Sequence, residues 1–150
     1  MNEFKPFDDK LAGLIAAISP AGRRKLASEI AKELRRSQQQ RIKQQKAPDG
    51  SPYQDRKRQP LRAKKGRIKR AMFQKLRTSR YMKASGRNAT AVVEFTGKVQ
   101  RIARVHQYGL KDKPSNNSRK IKYSERILLG VGRCEKEMID KILTEFIFSD

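Results

Sequence analysis

Tryptophan is absent from this 150-residue chain, and histidine and cysteine occur once each, as His106 and Cys134. A lone cysteine cannot close an internal disulfide, so nothing in the sequence asks for an oxidising compartment. One His and one Cys also leave no ligand spacing of the zinc type, and no cofactor is expected. Cys134 precedes Glu135-Lys136-Glu137 near a helix start and reads as a small core or boundary residue. The longest apolar run is a few residues, far short of the ~20 that cross a bilayer, so no membrane partner is expected. The first residues, Met1-Asn2-Glu3-Phe4-Lys5-Pro6, show neither the charged nor the apolar region of a signal peptide. Synthesis in the cytoplasm is the corresponding expectation.

Catalytic patterns are missing as well. No strand–turn–helix serine motif stands in the chain. Gly130-Val131-Gly132 lacks the third glycine and the lysine of nucleotide-binding loops, and reads as a helix stop followed by a new start. Paired carboxylates for acid–base work do not occur in the basic middle. The chain reads as a non-enzyme that holds other macromolecules.

What is abundant is positive charge. Lys and Arg number 37 against 15 Asp and Glu, a formal net charge of +22. Self-repulsion of that size opposes compaction and calls for a polyanion or an acidic protein surface. The charge is unevenly placed: residues 22–77 carry a net +16 and residues 78–123 a net +9, whereas 1–21 and 124–150 are mildly acidic. Hydrophobic residues make up 36% of the chain, enough for a modest core.

Phe4, Phe7, Leu11, Leu14, Ile15 and Ile18 recur at three- and four-residue steps, the spacing of one helix face. Ser19-Pro20 then supplies an N-cap with proline at the first helical position. A second helix follows, with Leu26, Ile30 and Leu34 as its stripe and Ala27 and Ala31 widening it. Beyond Ser37 it keeps helix formers and loses nearly all apolar residues, which predicts a solvated helix or one that packs on a partner. The turn-rich run 47–52 stops it. Residues 53–67 read as an irregular basic arm, and Ile68, Met72 and Leu76, with Phe73 beside them, as a short helix. A hairpin is expected across a turn at Ser85-Gly86-Arg87-Asn88. Val99, Ile102, Ala103 and His106 share a face if the next stretch is helical, with Gly109 as C-cap; Val105 breaks that pattern and keeps a strand open. A polar loop, 111–117, leads to a short strand at 120–123. The last helix has the clearest period, in Met138, Ile139, Ile142, Leu143, Phe146 and Ile147. The fold class is α+β: a small antiparallel sheet between N- and C-terminal helices, one domain over 1–150, with residues 37–67 as a basic helix and loop extension.

The densest basic cluster is Arg56, Lys57, Arg58, Arg62, Lys64, Lys65, Arg67, Lys69 and Arg70. Such side chains neutralise phosphates without reading sequence, or dock on acidic protein. Aromatic residues only border it, at Tyr53 and Phe73, so stacking on single-stranded bases is weakly supported.

Five segments, in this order, carry a resemblance. They are Leu34-Arg35-Arg36-Ser37-Gln38-Gln39-Gln40-Arg41-Ile42, Pro48-Asp49-Gly50-Ser51-Pro52-Tyr53, the run 65–77, Ala103-Arg104-Val105-His106-Gln107-Tyr108-Gly109-Leu110, and Tyr123-Ser124-Glu125-Arg126-Ile127-Leu128-Leu129-Gly130. Together the chain resembles the phage virion morphogenesis family, the tail completion proteins of contractile-tailed phages. That resemblance implies a late structural protein, made in the host cytoplasm and built into the virion, that finishes the tail and prepares it to join a DNA-filled head. Related joining proteins form rings, commonly hexameric. The implied partners are further copies of the chain, tail tube or tail terminator proteins, head connector proteins, and double-stranded DNA in the passage. The resemblance also implies a compact body of hairpin and Gly109-capped helix against which residues 126–130 pack. Arg104, His106, Gln107, Tyr108 and Gly109 are then expected in local structure or a subunit contact. The rival reading is a basic nucleic-acid-binding protein of ribosomal or nucleoid type, which charge alone would favour.

Overall fold

A computed structural model describes residues 5–16, 18–56 and 71–148. The helices are α1 (Lys5–Ala16), α2 (Pro20–Lys43), α3 (Gly97–Tyr108) and α4 (Arg133–Phe148); the strands are β1 (Met82–Arg87), β2 (Thr90–Phe95), β3 (Lys111–Asp112) and β4 (Ile121–Lys122). β1 pairs with β2 and β3 with β4, giving two small two-stranded sheets in an α+β chain with helices at both ends. The chain divides into two compact units. Unit 1 comprises 1–36, 83–94 and 131–150; unit 2 comprises 37–82 and 95–130.

In unit 1, α1 lies against α4. The apolar face expected from Phe4, Phe7, Leu11, Leu14 and Ile15 lies outside the described residues and side chains. α2 starts as its sequence dictates, with the Ser19 hydroxyl accepting the Gly22 N–H at 3.2 Å and Pro20 opening the helix. Leu26, Ala27 and Ala31 are buried on it. The β1–β2 hairpin turns at Asn88-Ala89, three residues after the start of the expected turn, and Asn88 adopts a left-handed φ of 52°. Gly86 lies within the strand. A Cβ there would meet the Ser28 backbone nitrogen at 2.4 Å, so the glycine serves close packing of β1 on α2. On α4 the periodic apolar residues are half-buried, and Glu135 is buried, its carboxylate accepting the Gly132 N–H at 3.0 Å. Cys134 is exposed.

Unit 2 is built on the end of α2. Gln38 and Ile42 are 3% and 0% exposed, so one face of these last turns is buried in the chain's own core, while Gln40 and Lys43 stay exposed. Ile42, Met82 and Leu128 are its most enclosed side chains. The helix expected around Met72 is replaced by successive turns, in which Arg77 N–H bonds Phe73 O and Tyr81 and Met82 N–H bond Thr78 O. Phe73 has φ 66°, a left-handed conformation that no helix continues through. α3 is helical and ends at Gly109 with φ 62°, as its glycine required. Its buried residues are Ala103 and Val105, whereas Ile102 is 49% exposed, so the inward face is rotated from the one expected. Part of the expected 111–117 loop is strand β3, because its partner β4 lies where a strand was foreseen.

Candidate functional site

Residues 126–130 form neither helix nor strand, yet Arg126 and Leu128 are buried. Buried backbone groups demand partners, and here side chains supply them in place of a sheet. Gln107, near the end of α3, accepts the Leu128 and Leu129 N–H groups on Oε1 at 2.8 and 3.0 Å, and donates from Nε2 to Leu129 O at 2.9 Å. From α2, Arg41 donates to Ile127 O at 3.2 Å and Leu128 O at 2.6 Å, and also bonds the Gln38 side-chain oxygen. That same Gln38 oxygen accepts the Gly130 N–H at 3.1 Å. Tyr53 donates its hydroxyl to Ile127 O at 2.7 Å, and burial pushes its pKa up, which keeps the donor protonated. His106 O accepts the Arg126 N–H at 2.8 Å. Gly109 completes the fit, since a Cβ there would lie 3.0 Å from the Glu125 nitrogen.

The ends of the basic segment are held beside this clasp. Arg126 donates to Gln54 O at 2.8 Å and Asp55 O at 3.2 Å, fixing the chain just before Arg56. Gln45, itself at φ 58°, pairs its side-chain amide with both backbone groups of Met72, at 2.8 and 2.9 Å, fixing the chain just after residue 70. Between them lies a cavity of about 600 Å³, lined among others by Phe73, Leu76, His106, Tyr123 and Arg126. Tyr53, Phe73, His106 and Tyr123 meet edge to face in sequence, with centroids 5.7, 4.9 and 5.2 Å apart. Burial, reinforced by the Arg126 and Arg56 charges, pulls the His106 pKa down to about 4, so the ring is neutral at pH 7. Its Nδ1 has no hydrogen-bond partner among the described residues.

Of the expected contact residues, Arg56 is exposed at the cavity. Lys57, Arg58, Arg62, Lys64, Lys65, Arg67, Lys69 and Arg70 lie outside the described residues. In the second group His106, Gln107 and Gly109 turn into the clasp, while Arg104 and Tyr108 are exposed, Tyr108 to 63%. The sequence reading missed Gln38, Arg41 and Gln45. The signal for the first two was present, since buried Ile42 shares their helical turn, but a glutamine-rich run reads as solvated. Among the described residues no group of His, Cys, Asp and Glu could hold a metal ion, and no helix is long and apolar enough to cross a membrane.

No solved structure gives a significant match. The chain is 49% identical over 144 residues to tail completion protein S of Escherichia phage P2, covering 95% of this chain and 96% of that protein. The model of the phage virion morphogenesis family matches residues 2–147, nearly the full length, and the chain belongs to that family.

Proposed function

We propose that the protein completes a phage tail and takes part in joining it to the DNA-filled head, as a homo-oligomeric ring at the head-proximal end of the tail. The observation that carries this reading is the 49% identity to a tail completion protein across 95% of the chain. Charge supports it: copies of a chain of net +22 repel one another, and acidic protein or DNA, both of which a head–tail junction offers, would offset that repulsion in a ring. The flanks of the basic segment are held within unit 2, by Arg126 at Gln54 and Asp55 and by Gln45 at Met72. In this reading the protein is assembled in the host cytoplasm and ends in the virion, in contact with tail tube or terminator proteins, head connector proteins and DNA. No chemistry on a substrate is involved.

Light scattering at moderate salt, with and without purified tails, tests the assembly role. A ring, or capture by tails, is the expected result. A monomer that ignores tails but binds DNA would replace it by the nucleic-acid-binding reading. Replacing Lys64, Lys65, Lys69 and Arg70 by Gln is expected to block head–tail joining while leaving the subunit folded, and normal yields of infectious particles would remove the basic segment from the mechanism.

A further inference from the structure

The β3–β4 ribbon brings like charges together. Its antiparallel register sets Lys111 directly opposite Lys122, and Asp112 opposite Ile121. Directly opposed residues in such a ladder have Cα atoms only about 4.5–5.5 Å apart, and like charges there are destabilising. Lys113, Arg119 and Lys120 flank the pair, and all five cations are exposed. Between Gly109 and Ser124 the sole carboxylate is Asp112, and it is engaged by the Arg101 guanidinium at 2.5 Å. None of the five cations forms an ion pair among the described residues. A ribbon with two residues per strand is marginal in its own right, so the repulsion falls on one of the weakest elements of the fold.

We infer that this ribbon is a contact surface for the phosphate backbone of duplex DNA. Closely set cations with a single carboxylate among them gain most from a ligand whose own charges are closely set, and duplex DNA carries one phosphate charge per about 1.7 Å of axis. The middle of the loop joining the strands, Pro114-Ser115-Asn116-Asn117-Ser118, is neutral and rich in the hydroxyl and amide groups that bond phosphate oxygens. It is held closed by Ser118, whose N–H bonds Ser115 O at 3.1 Å and whose hydroxyl accepts the Ser115 N–H at 2.9 Å. A two-stranded ribbon is also an element that the major groove admits. Lysines act here as point charges rather than bidentate readers, so the contact is independent of base sequence. The inference rests on the assembly reading only for the presence of DNA at the junction; the ribbon's register and charge stand on their own.

The test is fluorescence anisotropy of a short duplex of arbitrary sequence with the full chain, over a salt series. The double variant Lys111→Gln, Lys122→Gln is compared with Lys43→Gln, Lys136→Gln, which removes the same charge from exposed positions elsewhere. The ribbon variant is expected to lower the slope of log affinity against log salt by about 1.8, some 0.9 for each lost phosphate contact, and to bind about tenfold or more weakly at low salt. The control should keep the slope of the parent protein. Equal slopes and affinities for the two variants would overturn the inference, as would a parent protein that does not bind the duplex at low salt. If the ribbon variant binds DNA normally while the four-Gln variant of the basic segment still blocks head–tail joining, the ribbon contact falls and the assembly role stands.

Discussion

Residues 126–130 and the β3–β4 ribbon sit close together in the sequence of unit 2, and neither is long enough in regular structure to satisfy itself. The first is completed from within. Gln38, Arg41, Tyr53 and Gln107 reach it from elements far apart in sequence and bond its backbone at Ile127, Leu128, Leu129 and Gly130. The ribbon is left incomplete, with Lys111 against Lys122 and its one acid already engaged by Arg101. The difference separates two uses of polar residues. Buried ones replace secondary structure and fix where the basic segment begins and ends. Exposed ones leave charge unanswered for a partner to answer. Breaking the clasp should therefore cost stability, and altering the ribbon should change binding while barely touching stability.

The largest effect is expected at the clasp. Arg41→Leu removes the donors to Ile127 O and Leu128 O, and Gln107→Leu removes both acceptor and donor for Leu128 and Leu129. The first leaves Leu128 O without its donor, since Ile127 O keeps the Tyr53 hydroxyl, and the second leaves three poorly solvated backbone groups without partners, at about 2 and about 3 kcal/mol respectively. Because both side chains hold Leu128, the double variant should cost less than the sum of the singles, by about 1 kcal/mol in a denaturant-melt cycle. Strict additivity would show that the two act on separate parts of the chain.

A smaller loss is expected at Gly109. Alanine there must take φ 62° and place its Cβ 3.0 Å from the Glu125 nitrogen, whereas alanine at Gly50 meets a φ of 87° in open space. Left-handed backbone alone costs about 1 kcal/mol, so Gly109→Ala should exceed Gly50→Ala by the strain of moving residue 125, bringing it to about 2 kcal/mol. Equal thermal shifts for the two variants would mean that the chain at Glu125 yields freely, contrary to a clasped segment.

The pH response sharpens the same contrast. His106 is held neutral in the folded state, with Arg126 and Arg56 adding positive charge and Asp55 nearby. The unfolded chain therefore binds a proton at higher pH than the folded one, and stability falls as pH drops from about 6.5 towards about 4. His106→Phe keeps an aromatic ring between Phe73 and Tyr123 and should flatten the profile in that window. Superimposable profiles for the two proteins, measured by denaturant midpoint, would show that His106 does not feel the clasp.

The parts legible in the sequence are those whose cause is local. Ser19-Pro20 opened α2, Gly109 closed α3, and the period of 138–147 marked α4. The hairpin was legible as a hairpin, but its turn was misplaced because Gly86 is needed for contact with Ser28 rather than for a turn. The clasp was not legible. Gln38 and Gln107 are 69 positions apart, and nothing in the periodicity of a glutamine-rich helix marks one amide as buried. Phe73 in left-handed backbone was equally hidden, since no local signal marks a phenylalanine for that conformation and the Gln45 amide that holds its neighbour Met72 lies 27 positions away.

The smallest effect is the one that tests the ribbon's purpose most directly. Lys111→Glu converts a like-charge cross-strand pair with Lys122 into an opposite-charge pair and adds a carboxylate among Lys113, Arg119 and Lys120. Cross-strand pairs of this kind are worth roughly 0.2–1 kcal/mol, so the melting temperature should rise slightly. Duplex binding should weaken beyond the effect of Lys111→Gln, because a negative charge now faces phosphate. A gain in stability together with a loss in binding is what a surface held in reserve for a polyanion must show. If stability rises and DNA binding is unchanged, the opposed lysines are a tolerated defect of a short ribbon, and the charge of unit 2 must meet DNA elsewhere.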